Sequence, residues 1–298
     1  MEELFEQLNA MRRKGTAWLI GGLAAIVGGF IGVNVVGLYC LPLILFGIVG
    51  LIIFGRSRSK FCAVYKNEVV RGVLGEVFED VQFTPEAGIT EEVLEATRMV
   101  NTADRFSSND LITGRYHGVE FVQSDVKIED ESTNSDGDTT YSTLFEGRWM
   151  IFRFNKEFRC DMQVMSKHFG VGERKGGLFA RKEDKMPPVE LESAEFNKVF
   201  RVYAHDAHDV FYILTPHMME ALLQLKTDCK GQLMLLFVNG DLHVAVDNRR
   251  DAFEPPTFRR MSLDDERARI LADIKVVTDF VDGMKLDNDI YRADTPIV

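Results

Sequence analysis

Charge is absent from Gly15 to Gly55, a run of 41 residues in a chain of 298. Cysteine is sparse. Cys40, Cys62, Cys160 and Cys229 show no Cys-x-x-Cys spacing, which excludes a disulfide framework and fits reduced cytosolic thiols. Basic residues are outnumbered, 35 Lys and Arg against 46 Asp and Glu, and the net charge of −11 excludes a general nucleic-acid binder. Neither a Gly-x-Ser-x-Gly nucleophile elbow nor a phosphate-cradling Gly-x-x-x-x-Gly-Lys-Ser/Thr loop occurs. What is present, 46% apolar and 27% charged residues, suffices for one large or two small folded domains.

As a single helix the uncharged run would extend about 60 Å, twice the ~30 Å hydrocarbon core of a bilayer. It must break. Asn34 and Gly37 are poor helix-interior residues and Pro42 suits a helix's first turn, so the reading is a hairpin with spans at 16–35 and 38–54. Arg12, Arg13 and Lys14 precede the membrane segment 16–55, Arg56, Arg58 and Lys60 follow it, and the turn between spans is uncharged. The positive-inside rule then puts both ends in the cytoplasm and the short turn on the outer side. No small-x-small cleavage site follows the first run, which argues against a cleaved leader. The spans hold no ionisable residue, so an ion path or proton relay is disfavoured. Small residues recur every four positions as Gly21, Ala25, Gly29 and as Ala24, Gly28, Gly32, a pattern that lets helices approach closely in lipid. Packing of one span on the other is its first expected use. Homo-oligomer formation through Gly21, Ala25, Gly28, Gly29 and Gly32 is the second.

Residues 1–15 form a short cytoplasmic segment, 56–80 a helical stalk, and 81–298 an acidic α+β domain. Subtracting the 6 basic and 3 acidic residues of 1–60 leaves 29 basic against 43 acidic beyond it, a body that touches an anionic leaflet at the junction alone. In the stalk Phe61, Tyr65, Val69, Val73 and Val77 recur every four residues. Strands are predicted at 81–83 and 111–128, and as a hairpin of 141–154 with 158–165 around Asn155-Lys156. A strand entry is predicted at 195–203. Mobile loops are predicted near 129–140 and 171–189, the first too irregular for a calcium loop. Helices are predicted at 91–99 with Thr90 as cap, from Thr215-Pro216 to 227, and from a Ser262/Asp265 capping box to 282. Asn239-Gly240 marks the clearest hairpin, since both residues tolerate positive φ. The echo of Phe154-Asn-Lys-Glu-Phe-Arg159 in Phe196-Asn-Lys-Val-Phe-Arg201 is read as chance.

One cluster resembles chemistry: His205-Asp206-Ala207-His208-Asp209, with His217 beyond it. Imidazoles and a carboxylate could hold a divalent metal, with His205, His208 and Asp209 as ligands of a membrane-tethered hydrolase. Yet the segment opens a helix, where Asp206 and Asp209 suit capping and the helix dipole, and no third ligand stands at diagnostic spacing. No catalytic residue, cofactor or metal is therefore assigned. The leading reading is a membrane-anchored binding or scaffold module with the bilayer and a protein as partners.

Several blocks carry a family resemblance. They are the two spans, Ser108-Asn109-Asp110-Leu-Ile-Thr-Gly114-Arg-Tyr-His-Gly118-Val, Phe145-Glu-Gly147, Phe154-Asn-Lys-x-Phe158 and Phe196-Asn-Lys-x-Phe200-Arg-Val-Tyr203. Asp206 followed by Leu214-Thr215-Pro216-His-Met218-x-x-Leu222, then Phe237-x-Asn239-Gly-x-Leu242, completes the set. Over roughly 17–254 the chain resembles an uncharacterised bacterial two-span membrane-protein family, domain of unknown function 3137. The resemblance implies an inner-membrane protein and brings no catalytic residues. In its pattern small or polar residues stand where this chain has His205 and His208, which weakens the metal reading.

Overall fold

A computed structural model describes residues 2–98, 100, 102–134, 137–153, 161–169 and 186–286. The chain divides into two compact units, Met1–Val73 with Phe253–Ala272 and Leu74–Ala252 with Asp273–Val298.

The first unit is built on helix α1 (Glu2–Val36) and helix α2 (Leu41–Val64). The break falls where Asn34, Gly37 and Pro42 place it. Gly37 takes φ +92°, a 3-10 turn covers Leu38–Cys40, and Pro42 sits in the first turn of α2. The helices pack through glycines at a spacing of seven: Gly15, Gly22 and Gly29 are the buried ones in α1. A Cβ on Gly22 would lie 2.9 Å from the Gly47 carbonyl oxygen, and one on Gly47 would lie 2.6 Å from that of Gly22. Only hydrogen side chains let the backbones come this close. The four-residue stripes are thus split: Gly29 and Gly32 face Ile44 and Cys40, whereas Gly21 has nothing within 4 Å. Both helices are long and apolar enough to cross a membrane, and 11% of each apolar stretch is buried, which is not how a soluble core helix sits.

Beyond α2 the helix continues, as the stalk periodicity requires, through a π-helical stretch Tyr65–Val70 and helix α3 (Arg71–Val77). Tyr65 is buried there, with its hydroxyl donating to Glu266 Oε2 at 2.9 Å and accepting from Arg269 Nη2 at 2.6 Å. Arg259 reaches Glu266 Oε1 at 2.7 Å, and Lys66 pairs with Glu254 at 2.8 Å. Charge inside this unit is thereby matched by opposite charge and hydrogen bonds, as burial demands.

The second unit is an α+β body whose described strands form one antiparallel sheet. They are β1 (Glu79–Thr84), β2 (Arg105–Tyr116), β3 (Val119–Thr133), β4 (Thr139–Arg153), β5 (Met162–Ser166), β6 (Pro188–Val189), β7 (Phe200–Ala204), β8 (Gln232–Val238) and β9 (Asp241–Asp247). Their order is β1-β2-β3-β4-β9-β8-β5-β7-β6. The nearly unbroken apolar runs of β8 and β9 belong at the sheet's centre, where both faces are covered. One face carries Val126, Ile128, Phe145, Trp149, Ile151, Met234 and Leu236 under Leu94 of helix α4 (Glu91–Ala96). On Phe121 and Phe152 of the same sheet, Phe280 of helix α8 (Leu263–Met284) packs with rings 6.3 Å from Phe152.

Several expectations are corrected. Strands β4 and β5 are no hairpin, because the β8–β9 hairpin is inserted between them; the Asn155-Lys156 turn lies outside the described residues. The stretch 111–128 is two strands, turned at His117-Gly118, where φ is +49° and +74°. Most of 129–140 is strand rather than loop, with β3 running to Thr133 and β4 starting at Thr139. Of 171–189, residues 171–185 lie outside the described residues and Pro188–Val189 pairs with β7. Residues 194–199 are helix α5 (Ala194–Val199), capped by Ser193, which accepts from Phe196 N at 3.2 Å. The first copy of the Phe-Asn-Lys echo, 154–159, lies outside the described residues. Thr90 begins α4 without a side-chain cap, whereas Ser262 accepts from Asp265 N at 3.3 Å as the capping box foresees.

Candidate functional site

The cluster at 205–209 opens helix α6 (Ala207–Ile213), and capping explains it. Asp206 is the N-cap, its Oδ1 accepting from His208 N at 2.8 Å. His205 and His208 are exposed while Asp209 is buried, so the helix turns the three proposed ligands to different surroundings. His217 lies exposed at the start of helix α7 (Pro216–Asp228), which Thr215 caps through Met218 N at 3.3 Å. Cysteine chemistry is weak as well: burial pushes the Cys62 and Cys229 thiols up, away from the reactive thiolate.

Side chains with metal-ligating atoms meet on the sheet instead. Asp110 of β2, Asp125 of β3 and Asp251, beyond β9, bring one carboxylate oxygen each within 4.8 Å of one another. Asp110 gets there through an irregularity in the β2–β3 register between Asn109 and Ile112, with φ +57° at Asp110 itself. The Asp110 N–H then leaves the ladder and donates to Pro85 O at 3.0 Å. Asp125 is fixed by the Ala252 N–H, 2.5 Å from its Oδ2. Arg148, opposite Asp125 on β4, lies 3.8 Å from Asp125 Oδ1 and 3.2 Å from Asp273 Oδ1 on α8. Arg250 reaches the same Asp273 oxygen at 3.8 Å.

Oxygen-only donors suit a hard divalent cation, but these carboxylates answer to two other positive groups. One is the Arg148 guanidinium. The other is a proton: burial, opposed by Arg148, raises the Asp125 carboxyl to about 8, so near neutral pH it can donate to Asp251. Asp110 and Asp125 are buried while Asp251 is exposed, which leaves one member open to solvent. Arrangement and charge thus describe carboxylates held together by the Arg148 guanidinium and a shared proton. Sequence reading passed over them. Asp110 stands inside the quoted block 108–119, but its partners come from residues 15 and 141 positions away, and no spacing rule joins them.

Described this far, the chain is an α+β protein with two apolar N-terminal helices and a large antiparallel sheet. Residues 143–286, from within β4 to just past α8, match the family model described as "Protein of unknown function (DUF3137)". The family read from the motifs is the one whose model matches, although its blocks before residue 143 lie outside the matched segment. No curated protein matches the chain. Among solved structures, the crystal structure of the mycobacterial trehalose monomycolate transport factor A, TtfA, is similar with a TM-score of 0.38 at 9% identity, covering 74% of this chain and 95% of that one.

Proposed function

We propose that this protein is a membrane-anchored binding or scaffold module of the bacterial inner membrane. The helical pair crosses the bilayer as a hairpin, and both termini and the sheet body lie in the cytoplasm. One observation carries the anchoring. The faces that α1 and α2 turn to each other meet at glycines, while Leu23, Phe30, Leu45 and Phe46 point away and are 50%, 59%, 62% and 57% exposed. Water strongly disfavours such a surface, and hydrocarbon accepts it. Orientation follows from Arg12, Arg13, Lys14, Arg56, Arg58 and Lys60 on one side and an uncharged turn on the other.

The binding role rests on the sheet body. It offers exposed aromatic surface at Phe211 and Tyr212 of α6, 52% and 42% exposed, suited to an apolar patch on a protein partner. The test of anchoring is a reporter at the carboxyl end combined with alkaline extraction of membranes. Activity on the cytoplasmic side and retention in the pellet are expected. A periplasmic signal or release into the supernatant overturns the proposal. For the partner, a photo-crosslinking residue at Phe211 should trap a defined adduct in cells that one at exposed Glu220 does not.

A further inference from the structure

Loop residues following Ala252 return to the foot of the helical pair. Asn9 exchanges two hydrogen bonds with Met261, at 2.9 and 3.0 Å, Arg12 Nη1 donates to Phe258 O at 2.6 Å, and Thr16 Oγ1 lies 3.1 Å from Thr257 O. Between this loop and the two helices is a small pocket lined by Arg12, Gly15, Thr16, Phe54, Ser57 and Arg58 among others. In the membrane-spanning reading, Thr16 and Phe54 are the cytoplasmic ends of the two spans. Phe258, 66% exposed, stands beside it.

The two arginines are incompletely used. Arg58 Nη2 donates to Pro255 O at 2.7 Å and lies 3.4 Å from Glu254, and Arg12 has its bond to Phe258. Arg12 Nε and Arg58 Nη1, however, are shielded from solvent with no hydrogen-bond partner among the described residues. Two charged N–H donors without acceptors are costly in such a place, and both arginines line one pocket to which their charge would draw an anion. Guanidinium forks fit phosphate oxygens, the Ser57 hydroxyl is a further donor, and apolar walls suit the glycerol end of a lipid.

We propose that Arg12 and Arg58 hold the phosphate of a phospholipid headgroup of the cytoplasmic leaflet, with Phe258 lying in the interface beside it. The site ties the loop after Ala252, through Thr257, to the bilayer edge. This inference rests on the membrane-spanning reading, and its test separates the two. The full chain, purified in mild detergent, is examined by native mass spectrometry with phosphatidylglycerol and, separately, with inorganic phosphate as probes. One retained phosphatidylglycerol per chain is expected, with retention about tenfold lower in R12Q/R58Q and nearly unchanged in R13Q/K14Q, which removes as much charge from the same rim. Unaltered melting of R12Q/R58Q without lipid shows that the variant is folded, and R12K/R58K restores partial retention if folding is disturbed. Equal loss in both double variants, unchanged retention in R12Q/R58Q, or binding of inorganic phosphate in preference to the lipid overturns the site while leaving alkaline extraction intact. Extraction of the protein from membranes overturns the anchoring first.

Discussion

Acidification should weaken the fold through one side chain. His243 of β9 is 6% exposed, and its Nδ1 accepts a hydrogen bond from Trp149 Nε1 at 3.3 Å. Burial pushes its pKa down to about 4. A lone pair committed to an indole N–H cannot also hold a proton, so the folded state keeps a neutral imidazole while the unfolded chain protonates near 6.5. The folded value lies below the unfolded one. This contribution is therefore fully present above pH 6.5 and is lost as pH falls toward 4. Between pH 8 and pH 5 the proton-linked loss works out at about 2 kcal/mol.

His243→Gln keeps an acceptor for Trp149 and removes the titration. Both proteins, full-length in detergent and carrying Trp18→Phe so that Trp149 alone reports, would be unfolded by urea at pH 8 and pH 5. Every other titrating group is common to the two, so their difference isolates the imidazole. The stability advantage of the histidine protein should shrink by about 2 kcal/mol on going to pH 5. A difference that stays constant within ~0.5 kcal/mol refutes the reasoning.

Asp125 should behave in the opposite sense. Its folded carboxyl titrates near 8 against about 4 unfolded, so its contribution falls as pH rises through that window, and Asp125→Asn should gain on the parent between pH 5 and pH 8 in the same urea assay. Gly47→Leu drives a side chain into the Gly22 carbonyl and should cost about 1–3 kcal/mol, whereas Gly21→Leu, in open space, should change melting in detergent little. Asn239→Val forces a β-branched residue to φ +56° in the β8–β9 turn, and a loss of about 1–3 kcal/mol by denaturant titration is expected.

Much of the architecture was legible because it is local. A charge-free run twice a bilayer's thickness must fold back, Gly37 and Pro42 mark where, and Thr215-Pro216, Ser262 and Asn239-Gly240 fix their own caps and turn within a few residues. Capping also accounts for the 205–209 cluster. Strand partnership was another matter. Residues 141–153 and 162–166 follow one another closely, yet a hairpin drawn from residues 232–247 separates them. Sequence proximity favours early closure, but burial decides the order, and the most apolar strands took the centre.

Short-range rules were equally blind to what gathers at long range. Asp110, Asp125 and Asp251 meet because a register shift redirects β2 and the chain beyond β9 returns to Asp125, and Arg12 meets Arg58 and Thr257 because a loop from the far end of the chain closes on the helices. The sequence alone determined the apolar helical hairpin, the charges that flank it and the ends of most helices, since each depends on residues within a turn or a helix of one another. Tertiary structure alone decided which glycines face the partner helix, which strands are neighbours and which charged groups are left to seek a partner, because those depend on distances that no spacing along the chain encodes.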